Sequence, residues 1–242
     1  MEIIIAESYQ ALSELAADKV IATLQECIDP LFCAASGDSP LGLYKELVKR
    51  KQSGKTNTSN WSFLGLDEWL GMNKNDEGSC GYFVNNQLIL PLGPKPGDIC
   101  FFDGRTREPD KECARVEDYI KRKGGIDIAV VGLGMNGHIG LNEPGTSPQL
   151  RSHVSLLDPQ TAQVGQKYFN NPTPLTHGIT LGLATLMEAR KLILIVSGRK
   201  KADIVQKVVE GAETTNIPAT LFQRHPSFTI ILDKDAAGLL KK

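Results

Sequence analysis

The feature that most constrains the fold of this chain is an apolar run, IDIAVVGLG, at positions 126–134. A strand that is apolar on successive residues must be covered on both faces, which is typical of a central strand in a parallel sheet packed between helices. Glycines at Gly132, Gly134 and Gly137 follow with the spacing G-x-G-x-x-G. The sequence therefore predicts a buried strand that ends in a glycine-rich turn, where backbone can approach a ligand closely.

Short apolar segments alternate with helix-like segments along the rest of the chain. Strands are predicted in EIIIA, LFCAAS, WSFLGLDEWL, ICFFDG, HVSLLD, KLILIVSG and FTIILD. Helices are predicted, from helical apolar spacing and from proline and glycine boundaries, in YQALSELAADKVIATLQECI, PLGLYKELVKRKQSG, CGYFVNNQLILPLG, PDKECARVEDYIKRKGG, LGLATLMEA and RKKADIVQKVVEG. Strands followed by helices form right-handed βαβ units, so we expect an α/β fold with a mostly parallel sheet.

Length and composition limit the classes of protein to consider. The 242 residues suffice for one α/β domain over residues 1–242, and no linker or repeat divides them. The 27 basic and 28 acidic residues form no long basic stripe, which argues against a nucleic-acid partner. No apolar stretch reaches the ~20 residues of a membrane-spanning helix. Five cysteines without a C-x-x-C pair fit a reduced, cytoplasmic protein.

The glycine spacing by itself suggests a dinucleotide-binding turn. Such a turn must lead directly into an uninterrupted helix whose N-terminus faces the pyrophosphate. Here Pro144 and Gly145 break the chain within eight residues of Gly137. Asp158 does lie about as far along as the ribose-binding acid of such sites, roughly 20 residues, so the dinucleotide interpretation stays open as a minor alternative.

The same turn carries polar side chains that are suited to proton transfer. Asn136, His138, Asn142 and Glu143 fall within eight residues just past the predicted central strand. Ligands of parallel α/β sheets bind beyond the carboxyl ends of the strands, and a histidine beside a carboxylate there is often functional. The alternative is an ordinary polar surface loop. No metal site is expected, because the other histidines lack acidic neighbours at useful spacing.

Two motifs, GLGMNGHIGLNEPGT and LGLDEWLGM, resemble those of the glucosamine-6-phosphate deaminase family, which also contains 6-phosphogluconolactonases. The similarity extends over nearly the whole chain, in the same order and with few gaps. It implies a modified doubly wound, Rossmann-like α/β fold with helices on both faces of the sheet. It also implies conversion of glucosamine 6-phosphate and water to fructose 6-phosphate and ammonia, with no metal and no organic cofactor.

The resemblance implies four catalytic residues. Asp67 matches the family's proton acceptor at the sugar C2, and His138 matches the acid/base that opens the sugar ring. Glu143 matches the carboxylate that orients this histidine. Asn136 falls where several members of the family have aspartate. An amide can still form hydrogen bonds but supplies no negative charge, so Glu143 is expected to be the main electrostatic partner of His138.

The resemblance also implies a phosphate-binding set. The donors of the phosphate loop, within ASGDSP, are Ser36, Gly37 and Ser39. Free N–H groups at a helix N-terminus suit a phosphate, provided that Asp38 points away from it. Lys201 matches the family's phosphate-binding lysine, whereas the adjacent Arg199 and Lys200 are expected to face solvent. Lys167 falls where better-known members have arginine, which keeps the charge but not the bidentate geometry.

Two other functions compete with the deaminase. A 6-phosphogluconolactonase would hydrolyse an ester in a related sugar phosphate, but the pair Asp67–Glu68 and the segment NEPG favour the deaminase. A non-catalytic sugar-phosphate sensor would usually carry a helix-turn-helix segment, for which we expect no room between the first strand and DAAGLLKK. Both a monomer and a homo-oligomer fit the family; a C-terminus shorter than that of its allosteric hexamers favours a monomer without allosteric control.

Overall fold

The computed structural model describes residues 1–241 and contains a seven-stranded parallel sheet. The strands are β1 (Glu2–Ala6), β2 (Leu31–Ala34), β3 (Ser62–Gly65), β4 (Asp67–Trp69), β5 (Ile99–Cys100), β6 (Ile128–Val131), β7 (His153–Leu156), β8 (His177–Thr180), β9 (Lys191–Val196) and β10 (Phe228–Asp233). The order in the main sheet is β1-β10-β9-β6-β2-β3-β5, and every neighbouring pair is parallel. The apolar run that includes β6 therefore forms the middle strand, as the sequence predicts.

The α-helices of residues 1–241 are α1 (Tyr9–Gln25), α2 (Asp38–Gln52), α3 (Cys80–Val84), α4 (Leu90–Leu92), α5 (Pro109–Arg122), α6 (Pro159–Gly165), α7 (Leu183–Met187) and α8 (Ala202–Glu210). Seven of these eight helices overlap the six predicted segments, whereas α6 lies outside the sequence prediction. A π-helical turn, Asn85–Ile89, joins α3 to α4. Short 3-10 turns at Gln166–Tyr168 and Arg199–Lys201 follow α6 and precede α8. Among residues 1–241, no helix has the length and apolarity that crossing a bilayer requires.

Strand β6 shows why helices cover both faces of the sheet. Successive side chains of a strand point to opposite faces. Ile128 and Val130 pack with residues of α1 and α2, whereas Ala129 and Val131 pack with residues of α5, α7 and α8. All four side chains are fully buried. Since burying one such valine or isoleucine is worth about 1.5–3 kcal/mol, a bare face on either side would be strongly unfavourable.

A second, antiparallel sheet of three strands, β4-β8-β7, lies outside the sequence prediction. The segment HVSLLD does form a strand, but it pairs in this small sheet. The sequence pattern gives no signal for β8, because its four residues HGIT are too few to show an alternation and include a glycine. The pairing matters for the site, since β8 places Thr180 opposite Asp67 and so fixes the backbone of Asp67.

Four adjacent strands, β9, β6, β2 and β3, end at the same edge of the main sheet. The segments that follow them are 197–201, 132–138, 35–39 and 66–67, respectively. Because the strands are parallel, their carboxyl ends bring these four distant parts of the chain together.

The glycine-rich turn after β6 is held in place by a buried side chain. The Asn142 amide nitrogen donates to the carbonyls of Ile139 and Leu181, both at 2.8 Å. The amide N–H of Leu141 also donates to Thr180 Oγ1 at 3.2 Å. The turn is therefore fastened to β8 and its continuation, which is the same element that fixes Asp67.

Candidate active site

A cavity of about 350 Å³ opens at the carboxyl edge of the sheet. Eight of the residues that the resemblance implies lie on its wall: Ser36, Gly37, Ser39, Asp67, Asn136, His138, Lys167 and Lys201. The ninth, Glu143, lies behind the imidazole of His138 and does not line the cavity. Residues from loops up to 166 positions apart thus share one small space.

Asp67 faces this cavity at the start of β4. Its Oδ1 atom is buried, and no side chain or backbone group of the described residues hydrogen-bonds to it. Burial raises the pKa of Asp67 to about 6, while the Cys80 thiol and the charge of His138 act in the opposite direction. At neutral pH this carboxyl group is mainly ionised, yet it binds a proton more tightly than an ordinary carboxylate does.

The neighbouring Glu68 points away from the cavity into the backbone. Its carboxylate accepts hydrogen bonds from the amides of Trp69 at 2.8 Å, Cys80 at 3.0 Å and Gly81 at 2.8 Å. Burial raises the pKa of Glu68 to about 7, against the effect of these three amides. Glu68 thereby ties the start of α3 to β4, which keeps Cys80 next to Asp67.

His138 lies against a cluster of polar groups that the next elements supply. Its Nδ1 atom lies 3.4 Å from Glu143 Oε2 and 3.0 Å from Thr161 Oγ1. The ring packs over Gly134, where a Cβ atom would fall 2.5 Å from the ring atoms. A side chain at that position would push the imidazole out of place, so Gly134 leaves the space that the ring of His138 needs.

Asn136 connects the backbone of His138 to Glu143. Its amide nitrogen donates to Glu143 Oε2 at 3.0 Å, and its oxygen accepts from the His138 backbone N–H at 3.1 Å. Burial by itself would raise the pKa of Glu143, but His138, Thr161 and Asn136 together hold it below the ordinary value. Asn136 therefore acts as a hydrogen-bond donor to the buried carboxylate.

The glycine turn is not followed by the helix that a dinucleotide site needs. Residues 132–152 contain no helix, all of them lying within the described chain. Gly137 adopts a positive φ of 86°, and a Cβ atom there would meet the Ile217 side chain at 2.5 Å. The spacing G-x-G-x-x-G thus reflects a tight turn beneath an imidazole, and the dinucleotide alternative is wrong.

A second group of polar residues forms the opposite end of the cavity. Gly37, with a φ of 127°, stands immediately before α2, and the adjacent serines present hydroxyls to the cavity. The Asp38 side chain is 73% exposed and pairs with the Lys167 ammonium. Asp38 therefore lies at the rim of the cavity, where its largely exposed carboxylate is paired with the exposed Lys167.

Lys201 reaches the same end of the cavity from the turn before α8. Its ammonium donates to the carbonyl oxygen of Leu133. Burial lowers the pKa of Lys201 to about 8, and the positive charge of Lys167 adds to this effect. Arg199 and Lys200 are exposed, in keeping with the sequence prediction.

Several wall residues have no signal in the sequence that would single them out. They are Trp69, Cys80, Gln160, Thr161 and Tyr168. Three of them lie on or directly after α6, a short helix whose polar composition resembles that of any surface helix. Within residues 1–241, no three histidine, cysteine or acidic side chains are grouped as metal ligands would be.

Fold and site together define a class of protein. A parallel α/β sheet carries at its carboxyl edge a pocket with a raised-pKa carboxyl group and a carboxylate-backed imidazole at one end. At the other end lie two ammonium groups and the N-terminus of a helix, which attract anions. The class is that of α/β proteins that bind a small phosphorylated polar molecule and hold acid/base groups against it.

Within this class, the chain belongs to the family of glucosamine-6-phosphate isomerases and 6-phosphogluconolactonases, whose model matches residues 7–231. A glucosamine-6-phosphate deaminase of Geobacillus sp. is 37% identical, over 99% of this chain and 96% of that protein. A deaminase of Thermoanaerobacter pseudethanolicus is 34% identical, over 99% and 95%. The solved structure of a monomeric glucosamine-6-phosphate deaminase superposes with a TM-score of 0.96 at 32% identity, covering 99% of this chain and 100% of that one.

The lactonase branch of the family shares the fold. A 6-phosphogluconolactonase from Leishmania guyanensis superposes with a TM-score of 0.76 at 21% identity, over 100% of this chain and 99% of that one. An identity this low establishes the shared architecture alone.

Replacing Asn136 with aspartate should raise the pKa of Glu143. The change removes the amide donor and places a second carboxylate next to Glu143 Oε2, where two negative charges oppose each other. In the native protein the lowered pKa of Glu143 contributes stability above its unfolded pKa, and this contribution is lost as pH falls through the folded value. The Asn136→Asp variant should lose part of this contribution to stability. Carbon-13 NMR titration of the Glu143 carboxyl group measures the shift directly.

Asn136→Ala is the matched control, because it removes the donor without adding charge. It should raise the pKa of Glu143 by less than Asn136→Asp does. Equal titration curves for Glu143 in all three proteins would contradict the role of Asn136 as a donor to this carboxylate.

Proposed function

We propose that this protein is a glucosamine-6-phosphate deaminase, which converts glucosamine 6-phosphate and water to fructose 6-phosphate and ammonia. The observation that carries the proposal is that Asp67, the His138–Glu143 pair and Lys201 surround one cavity of about 350 Å³. This volume lies in the range of small-molecule sites, roughly 300–1,000 Å³. Full-length similarity at 34–37% identity to proteins named as deaminases supports the same choice within the family.

The phosphate of the substrate is assigned to the end of the cavity that carries Lys201. The N-terminus of α2 offers backbone N–H groups and a favourable dipole there, and the hydroxyls of Ser36 and Ser39 add donors. A bound phosphate would raise the charged fraction of the half-buried Lys201. It would also compete with Asp38 for the ammonium group of Lys167.

With the phosphate at that end, the sugar ring extends toward His138. Ring opening moves a proton from the anomeric hydroxyl to the ring oxygen, so that the C1–O5 bond breaks and an aldehyde forms at C1. An imidazole exchanges protons readily near neutral pH. The ionised Glu143 lies behind the imidazole of His138, and it stabilises the imidazolium that forms between the two proton transfers.

The open-chain substrate then needs a proton moved from C2 to C1. Asp67 is assigned this step: its carboxylate takes the C2 proton while the C1 carbonyl oxygen gains a proton, which leaves an enolamine. Asp67 then returns its proton to C1 and the amine releases one N–H proton, so the number of protons is unchanged overall. A carboxyl group with a pKa of about 6 is suited to both halves of the transfer, because it is ionised at neutral pH and yet a stronger base than most carboxylates. The product of this step is an imine at C2.

Water completes the reaction. It adds to the C2 imine to give a carbinolamine, and loss of ammonia from that carbon forms the ketone of fructose 6-phosphate. Each step is a proton transfer or the addition or loss of a small molecule. One water enters and one ammonia leaves, so the atoms balance.

The remaining properties follow from the same proposal. The partner is the small-molecule sugar phosphate itself. Similarity to a solved deaminase that is described as monomeric supports a monomer. All five cysteines are free thiols, which supports the reducing environment of the cytoplasm.

The purified protein should release equal amounts of ammonia and fructose 6-phosphate from glucosamine 6-phosphate. A coupled assay for both products tests this, with glucosamine lacking the phosphate as the comparison substrate. The same sample should hydrolyse 6-phosphogluconolactone far more slowly. Faster turnover of the lactone would identify a lactonase, and tight binding of the sugar phosphate without ammonia release would identify a sensor.

Asp67→Asn should retain substrate binding and lose turnover. Loss of a general base typically lowers kcat by 10²–10⁴-fold, and the isosteric amide leaves KM within a few-fold. Native kcat should fall with decreasing pH below about 6, where Asp67 becomes protonated. Asp203→Asn, which changes an exposed carboxylate on α8, is the control and should leave both parameters unchanged. Near-native activity of Asp67→Asn would refute the assignment of the base.

Lys201→Gln should raise KM by about 10–100-fold with a smaller effect on kcat, because charged hydrogen bonds are worth roughly 1.5–3 kcal/mol. Lys200→Gln removes the same charge from the adjacent exposed position and should change KM by less than about 2-fold. Native KM should increase above pH about 8, where free Lys201 loses its proton. Similar KM values for both variants would place the phosphate elsewhere.

A further inference from the structure

Thr161 makes the shortest side-chain contact to the imidazole of His138. Its Oγ1 atom lies 3.0 Å from Nδ1, compared with 3.4 Å for Glu143 Oε2. Thr161 belongs to α6, is only 6% exposed and lines the cavity. The Nδ1 atom of His138 therefore faces a buried hydroxyl and a carboxylate together.

The chemistry of the three groups leaves one consistent arrangement of hydrogens. The Glu143 carboxylate is held in its ionised form and can only accept hydrogen bonds. Its Oε2 atom lies 3.4 Å from Nδ1, so the carboxylate favours a hydrogen on that nitrogen. Toward an Nδ1–H group the Thr161 hydroxyl oxygen, at 3.0 Å, acts as an acceptor, so both neighbours favour the hydrogen on Nδ1.

We propose that Thr161 is a positioning residue, which together with Glu143 holds His138 as the Nδ1–H tautomer by accepting a hydrogen bond from Nδ1. The second ring nitrogen, Nε2, then keeps its lone pair for accepting a proton. The consequence for catalysis rests on the proposed function, since a base is needed there for ring opening. The tautomer itself is a property of the free protein and is independent of any substrate.

The position of Thr161 also links the two ends of the cavity. α6 continues directly into the 3-10 turn that carries Lys167, six residues further along the chain. One continuous segment thus contacts the imidazole with its first part and the rim of the anion-binding end with its last part. The charged groups around His138 are Glu143 on its own turn, Asp67 from β4, and the two lysines across the cavity.

The test compares Thr161→Val, which keeps the shape but removes the hydroxyl, with Thr161→Ser, which restores it. Nitrogen-15 NMR of the imidazoles in the free protein should show the Nδ1–H tautomer of His138 in the native protein and in the serine variant. In the valine variant the Nε2–H tautomer should gain substantially. Thr161→Ala provides the same comparison if the valine variant does not fold.

Kinetics with glucosamine 6-phosphate provide the second readout. Loss of a residue that orients a catalytic group typically costs 10–100-fold in activity, so we expect a decrease of that order in kcat for Thr161→Val. KM should change by less than about 3-fold, and Thr161→Ser should recover most of kcat. The control is Thr176→Val, because Thr176 Oγ1 lies 3.1 Å from Nδ1 of His177 in an exposed place outside the cavity.

The outcomes separate this inference from the proposed function. A changed tautomer without deaminase activity in any of the proteins would uphold the positioning role of Thr161 and refute the function. Deaminase activity with an unchanged Nδ1–H tautomer in both Thr161→Val and Thr161→Ala would overturn the positioning role and leave the function intact. A native protein whose His138 is already the Nε2–H tautomer would also overturn it.

Discussion

The parallel pairing of four central strands is the constraint on which the rest of this structure depends. Strands β9, β6, β2 and β3 are neighbours, and their carboxyl ends form one edge. Strand β6 is fully buried on both faces, and parallel pairing sets its register, with Ala129 opposite Cys33 of β2 and Leu192 of β9. The turns that follow these strands are therefore fixed relative to one another, and the cavity exists because the sheet is rigid.

The two carboxyl groups beside His138 are placed in contrasting environments. Asp67 is half-buried, with its Oδ1 atom fully buried and unpartnered, and burial raises its pKa to about 6. Glu143 is also buried, but its donors hold its pKa below the ordinary value. Environments that push the pKa values of two nearby acids apart assign them different tasks. In the proposed mechanism, Asp67 exchanges protons with the substrate, whereas Glu143 remains ionised behind the imidazole.

The sequence predicts those helices and strands that have long apolar patterns. The central strand, the helices on both faces and the order of most elements follow from burial periodicity. The small antiparallel sheet does not, because β8 has only four residues and its pairing with Asp67 is a long-range contact. For the site, motif similarity identifies residues such as His138. It does not identify Thr161, whose importance arises only when α6 folds back onto the glycine-rich turn.

Glu68 illustrates the same limit from the other side. Its place next to Asp67 in the sequence makes it look like a second catalytic acid, yet β-strand geometry sends adjacent side chains to opposite faces. Its carboxylate accepts hydrogen bonds from the backbone amide of Trp69 in β4 and from those of Cys80 and Gly81 at the start of α3, and it thereby positions Cys80. A pair of acids in a motif therefore cannot be divided into chemical and structural partners until the strand that carries it is known.

The asparagine at position 136 supports the electrostatics of the site without carrying a charge. An aspartate there would face Glu143 as a second anion, and at least one of the two would have to bind a proton or find a cation. The amide instead donates to Glu143 and accepts from the His138 backbone. With Asn136 donating to its Oε2 atom, Glu143 is held in its ionised form next to His138. In the proposed mechanism, this anion stabilises the imidazolium that ring opening generates, so the asparagine supports a charge that it does not itself carry.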